Sequence, residues 1–376
     1  MHRNFIIIFI LCLLASCTGL PTREAGISDP VKWSALNGWV DDHHAEAWPA
    51  LNQSCKKLAP RDSNWKSICH EVETLGIPGD TAARIFFETH FVAHRVIDQR
   101  GKKNGLITGY YEPLLNGSLE RTELYRYPVY ERPANLLTIS LGDVYPELEG
   151  KRIRGQLTRS NRVIPYFSRA EIDSDESPLA GHEIAWVDDP VSLFFLHVQG
   201  SGRIQLDDGQ TLAVGYADQN GRPYVSIGGQ LLRMEELAKE DITLGSIRDW
   251  IAEHPAEMES LFYSNPSYVF FTIRDSKLSG PLGSLSVPLT AERSIAVDNK
   301  FISAGLPVWL DTTLAINGKP YQRLVLAQDT GGAIKGPVRA DVFFGQGVRA
   351  EKLAGTMKQR GQLFVLLPRL KNNIDN

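Results

Sequence analysis

The chain has 376 residues, a length that suits one large or two ordinary domains. Apolar residues make up 43%, charged residues 22%, and the formal net charge is −4. These values exclude large-scale disorder and a broad electrostatic grip, so nucleic acid is not an expected partner.

The N-terminus carries the sharpest local signal. Met1-His2-Arg3-Asn4 is a short basic start, and Phe5 to Leu14 is an unbroken apolar run of 10 residues. A transmembrane helix needs about 20 such residues, so this run fits a signal-peptide core. The tetrapeptide Leu14-Ala15-Ser16-Cys17 resembles a lipobox. That resemblance implies a lipoprotein signal peptide over 1–16 and a lipidated Cys17. Thr18 after the cysteine resembles a sorting signal for the periplasmic face of the outer membrane. One acyl chain binds weakly, so stable anchoring takes more than one. Cys12 leaves with the signal, which leaves Cys55 and Cys69. In an oxidising compartment these two can pair, or they can stay as free buried thiols.

Residues 17–32 are polar and read as a tether. From about Trp33 to Gln99 the pattern is helical. His44–Leu58 and Asn64–Leu75 show apolar residues at three-to-four spacing, so bridging Cys55 to Cys69 would staple a helical hairpin. Gly76-Ile77-Pro78-Gly79 breaks the second helix, and Asp80 can cap a third. From about residue 105 strands take over. Leu106–Tyr111 is one. Ser192–Tyr224 reads as a β-meander containing Phe194–Val198, with hairpin turns at Asp208-Gly209 and Asn220-Gly221. Glu235–Pro255 returns to helix. Val269–Phe271, Val308–Leu310, Leu324–Ala327 and Leu363–Leu367 are strands, with a hairpin turn at Asn317-Gly318. Abundant glycine (32) and proline (21) favour this strand-rich reading over a helical bundle.

Several familiar signatures fail. His182-Glu183 lacks the second histidine of a zinc protease, and there is no Cys-x-x-Cys pair. No Gly-x-Ser-x-Gly elbow is present, and Gly345-x-Gly347 lacks the context of a dinucleotide site. Asp329-Thr330-Gly331 has the look of an aspartic-protease loop. Such a protease needs two carboxylates sharing a proton, and the triplet occurs once. The informative stretch runs from Asp329 to Asp341. Gly331, Gly332 and Gly336 permit tight turns or close ligand approach. Lys335 and Arg339 supply positive charge, and Asp341 opens a second apolar run. Aspartates beside glycine are commonly turn formers, so spacing alone leaves both a structural and a functional reading open.

Further blocks make the pattern specific: Ser294–Asp298, Gly109-Tyr110-Tyr111-Glu112-Pro113, His197-Val198-Gln199-Gly200-Ser201-Gly202 and Asn265–Phe271. Together they resemble the membrane-bound lytic murein transglycosylase A family, whose C-terminal 3D domain carries three aspartates. Here these are Asp298, Asp329 and Asp341, with Asp311 outside the pattern. The resemblance implies a mainly β protein with N-terminal helices. A double-psi β-barrel would form from 33–113 and 261–376, with a second β domain inserted over 114–260 and a groove between them. It implies an exo-acting carbon–oxygen lyase that opens the β-1,4 bond between MurNAc and GlcNAc in peptidoglycan and forms 1,6-anhydroMurNAc. Asp341 would be the catalytic acid and base, supported by Asp329, Asp298 and Lys335. Thr108, Tyr110, Tyr111, Gln199, Ser201, Gly202 and Gly332 would contact sugar. No metal or organic cofactor is implied. The partners would be glycan strands, the membrane through the lipid anchor, and candidate proteins of cell-wall synthesis or the divisome. The competing reading is a non-catalytic glycan-binding lipoprotein on the same fold.

Overall fold

The computed structural model describes residues 24–151 and 153–369. The expected signal peptide over 1–16 and the expected lipidation site Cys17 lie outside the described residues. Strand β1 (Gly26–Pro30) pairs antiparallel with β2 (Phe91–Ile97), so part of the expected tether is structured. Between them lie helices α1 (Trp48–Leu58), α2 (Ser63–Leu75) and α3 (Asp80–His90). Asp62 caps α2, accepting from the N–H groups of Asn64 and Trp65. Asp80 is the first residue of α3 and not its cap, which is Gly79; its carboxylate instead accepts from the Ala45 N–H. The helical region ends at His90, because β2 enters the first sheet between β1 and β17. Cys55 and Cys69 are bridged, with Cα atoms 5.5 Å apart.

Strand β3 (Gly105–Glu112) leads through Pro113 straight into β4 (Leu114–Ser118). There the chain leaves the first sheet. It continues through β5 (Tyr127–Tyr130), β6 (Leu137–Ile139), β7 (Ile153–Leu157), β8 (Val163–Pro165), α4 (Arg169–Ile172) and β9 (Glu183–Val187). Next come α5 (Pro190–Gln199), β10 (Ser201–Leu206), β11 (Thr211–Gln219), α6 (Ile227–Arg233), α7 (Leu244–Glu253), α8 (Met258–Tyr263) and β12 (Val269–Arg274). The chain then returns to the first sheet with β13 (Ser294–Val297), β14 (Pro307–Thr313), β15 (Pro320–Asp329), β16 (Arg339–Gln346), α9 (Gly347–Thr356) and β17 (Lys358–Pro368).

The protein is thus mainly β, with helices at its N-terminal end and within the insert, and with α9 between β16 and β17. The first sheet has the order β1-β2-β17-β14-β15-β13-β16-β3. Because β17 also pairs with β3, the pairing returns on itself through six strands. The second sheet has the order β12-β11-β10-β4-β9-β5. It extends to Arg274, past the expected boundary at 260, because β12 pairs with β11. A three-stranded sheet, β6-β7-β8, flanks it. One large apolar core fills the first unit, with Trp39, Trp48 and Trp309 fully buried, and three smaller cores fill the insert.

Three local expectations differ. Phe194–Val198 lies in helix α5, not in a strand. Its ends decide the matter: the Asp189 carboxylate accepts from the Val191 N–H, Pro190 opens the helix, and Gly200 closes it at φ 80°. A short all-apolar run carries no period of its own. Asn220-Gly221 is no hairpin turn. The buried Asn220 amide donates to the carbonyls of Phe167 and Pro266, and its oxygen accepts from the Tyr268 N–H. The helix expected over Glu235–Pro255 is displaced. It falls as α6 before that span and as α7, capped by Thr243, in its second half.

Candidate active site

Strands β3 and β16 run parallel, with Thr108 in register with Asp341 and Tyr110 with Phe343. The period of two along a strand sends Thr108 and Tyr110 to the same face. On the other side β13 lies between β15 and β16, and its Ala296 is in register with both Asp329 and Asp341. The two aspartates therefore sit across one intervening strand.

The two carboxylates are held differently. Asp341 Oδ1 accepts a 2.5 Å hydrogen bond from Thr108 Oγ1, and Arg339 donates to the same hydroxyl at 2.8 Å. Arg339 thus fixes the direction in which Thr108 donates. Asp329 accepts three bonds of 2.9 Å each, from Tyr110 Oη, the Ser284 N–H and the Thr330 N–H. Burial pushes the Asp341 carboxyl up to about 6, against smaller opposing effects from Thr108 and Arg339; Asp329 adds a small upward push. Burial also raises Asp329, opposed by its three donors. Tyr110 is held well above the usual phenol range by burial and then by Asp329, so it stays a donor. Asp341 is enclosed by protein on most sides yet keeps a partial opening to solvent. It accepts fewer hydrogen bonds than Asp329 and so keeps spare acceptor capacity.

Asp298 follows β13 and is buried. Its oxygens accept from the N–H groups of Lys300 and Gly336, at 3.2 and 2.8 Å. Gly336 has φ 103°, a conformation that glycine alone adopts cheaply and that turns its N–H toward Asp298. Asp298 therefore ties down the loop between β15 and β16. Lys335 and Gly332 are exposed on that loop.

The remaining expected contacts divide. Gln199 ends α5, and its side-chain oxygen accepts from the Tyr111 N–H at 3.1 Å, joining the insert to β3. Ser201 is half-buried at the start of β10. Tyr111 is only 4% exposed, and its ring packs in the first core instead of lining a groove, because it alternates in facing with Tyr110. Gly202 is likewise a packing residue. A Cβ there would lie 2.5 Å from Leu196 and 3.0 Å from the Pro113 carbonyl. Asp311 is an ordinary strand residue that accepts from Asn37 and Gln322.

Three features were not identified from sequence. Arg339 stood out only as nearby positive charge. Ser284 contributes a backbone N–H, which no side-chain pattern betrays. The buried Glu112 accepts from Arg203 of the insert at 3.2 Å and from Gln346 of β16, which locks the strand crossing between the two sheets.

Comparisons with known proteins agree with this architecture. The MltA specific insert domain matches residues 106–272, and the 3D domain matches residues 293–367. Membrane-bound lytic murein transglycosylase A of Escherichia coli (strain K12) is 33% identical, over 95% of this chain and 93% of its own length. The crystal structure of the membrane-bound lytic murein transglycosylase from Agrobacterium tumefaciens superposes with a TM-score of 0.81 at 33% identity, covering 92% of this chain and 98% of that one. The structure of E. coli MltA with bound chitohexaose gives a TM-score of 0.69 at 26% identity, covering 93% and 96%. The chain belongs to the membrane-bound lytic murein transglycosylase A family.

Proposed function

We propose that this chain cleaves the β-1,4 bond between MurNAc and GlcNAc in peptidoglycan, with Asp341 as its one acid–base catalyst. Asp341, protonated, gives its proton to the glycosidic oxygen as the bond from C1 breaks. The resulting carboxylate takes the proton of the C6 hydroxyl on the same MurNAc. That oxygen bonds to C1 and closes the 1,6-anhydro ring. The proton returns to Asp341, no water is consumed, and the reaction is that of a lyase. The nucleophile belongs to the substrate, so positioning supplies much of the rate. The observation that carries this reading is the burial of Asp341, which raises it to about 6 while only Thr108 donates to it from a side chain. Asp329, with three donors, serves to hold the Tyr110 and Thr330 segments, and Asp298 to hold the loop that bears Lys335 and Gly332. Thr108, Tyr110, Gln199, Ser201 and Gly332 border the groove.

The finer fold reading is a double-psi β-barrel built from both ends of the chain, and the cyclic six-strand pairing supports it. Two parallel contacts, β3 with β16 and β13 with β15, fit the same reading. Attachment through Cys17 to the periplasmic face of the outer membrane rests on the lipobox; among the described residues no helix is long and apolar enough to span a membrane. The test is incubation of the protein with purified sacculi. Anhydro-muropeptides from the native chain and their absence with well-folded Asp341→Asn support the proposal. Co-sedimentation without products would make it a binding module.

A further inference from the structure

A concavity of about 570 Å³ opens beside the aspartate site. Ser284 and Thr330, whose N–H groups bond Asp329, form part of its wall. Four cationic side chains line it: Lys57 on α1, Arg61 in the turn after it, Lys300 after β13, and Lys335 on the loop before β16. Its one lining carboxylate, Asp298, is already bonded at both oxygens by backbone N–H groups. Among the described residues, none of the four cationic side chains has an ion-pair or hydrogen-bond partner. A local excess of positive charge thus stands on a chain whose net charge is −4.

The cations are mounted on fixed backbone. Gln328 of β15 donates to the Ala50 carbonyl and to Ser54 Oγ, which clamps α1 one turn before Lys57. The Cys55–Cys69 bridge, one residue on, ties the same turn to α2. Lys300 lies in a turn closed by the N–H groups of Phe301 and Ile302 on the Asp298 carbonyl. Ala296, in register with both aspartates of the site, lies two residues before Asp298. Two residues of strand span roughly 7 Å, so the concavity is a near neighbour of Asp341.

We infer that this concavity binds a carboxylate of the acidic peptide that hangs from the lactyl group of MurNAc. The inference rests on the proposed peptidoglycan reading. The glycan backbone is uncharged once its lactyl groups are amide-linked, so the negative charge near the scissile bond belongs to the stem peptide. A cluster of unpaired cations one short step from the reacting sugar matches that charge and not the sugars.

The experiment compares the full mature chain with a Lys57→Gln/Lys300→Gln variant in two assays. The first titrates the free tripeptide L-alanyl-γ-D-glutamyl-meso-diaminopimelate and its fully amidated counterpart. The second measures turnover of peptide-bearing glycan strands and of the same strands with their stem-peptide carboxylates amidated. Exposed charge pairs are worth roughly threefold each, so the double variant is expected to bind the tripeptide about tenfold more weakly. The amidated peptide binds neither protein. For the double variant, KM on peptide-bearing strands rises about tenfold with kcat unchanged, while on amidated strands the two proteins coincide. Equal tripeptide binding by both proteins, or equal losses on both glycans, overturns the inference. If the native chain releases no anhydro product from either glycan, the proposed function fails, and the tripeptide titration still reads the concavity on its own.

Discussion

Replacing Asp341 with Asn should make the protein more stable at neutral pH while removing its activity. The carboxyl has a value of 3.8 when unperturbed and about 6 in the fold, raised by burial. Between those values the folded state holds the proton more tightly than the unfolded chain. The stability this represents is fully present below the lower value and is lost as pH rises through the higher one. A difference of roughly two pH units corresponds to about 3 kcal/mol. Asn keeps the side-chain size and an oxygen to accept from Thr108, but carries no charge to bury. Arg339 loses its neighbouring charge, which offsets part of the gain. The expected result is a gain of about 1–3 kcal/mol at about pH 7.5, shrinking toward zero at about pH 4. Urea denaturation followed by circular dichroism at both pH values measures it. If the variant is less stable than the native chain at the higher pH, or if its advantage is the same at both, Asp341 is not an acid strained by burial. Its proposed role would then lose its physical basis. In the same protein, loss of acid–base catalysis should lower turnover by about 10²–10⁴-fold.

Turnover by the native chain should fall as pH rises through about 6, because the first step needs protonated Asp341; a kcat/KM profile that stays flat from about pH 5 to 8 would contradict this. Thr108→Val removes a donor that stabilises the carboxylate, so the falling limb should move to higher pH by about one unit, the equivalent of a charge-assisted bond worth about 1.5 kcal/mol. The same kinetic titration reads that shift. Reducing the bridge, or Cys55→Ser with Cys69→Ser, should cost about 3 kcal/mol in a denaturant titration, as the bridged residues are 14 apart in sequence. Arg293→Met leaves the buried Asp42 carboxylate without its counter-charge and should destabilise the fold by about 3–5 kcal/mol by the same titration.

The sequence makes plain those features that depend on local chemistry. The α1–α2 hairpin is readable from apolar spacing and from its two cysteines. The β14–β15 turn is readable at Asn317-Gly318. Asp329 and Asp341 stand in one recognisable stretch, and Asp298 in a separate block before it. Features that depend on distant contacts are not readable in this way. The Phe194–Val198 run gives no period, and its helix is decided by Asp189 and Gly200 at its ends. Tyr110 and Tyr111 are adjacent and chemically alike, and only strand facing sends one to Asp329 and the other to the core. The unequal hydrogen bonding of Asp329 and Asp341 draws on Ser284 and Thr108, far from either in sequence.

Thr108 and Asp341 are separated by 233 residues, and Tyr110 and Asp329 by 219. The last strand, β17, is also the one whose pairing with β3 closes the six-strand circuit. The neighbours of β3 are therefore complete only once β17 is in place. Closing loops of such length carries a large entropy cost before the contacts form, which slows folding. A truncated or half-made chain would contain the insert and the helical hairpin, yet would have no assembled acid. The acid site is therefore a property of both ends of the fold together: no single segment carries it.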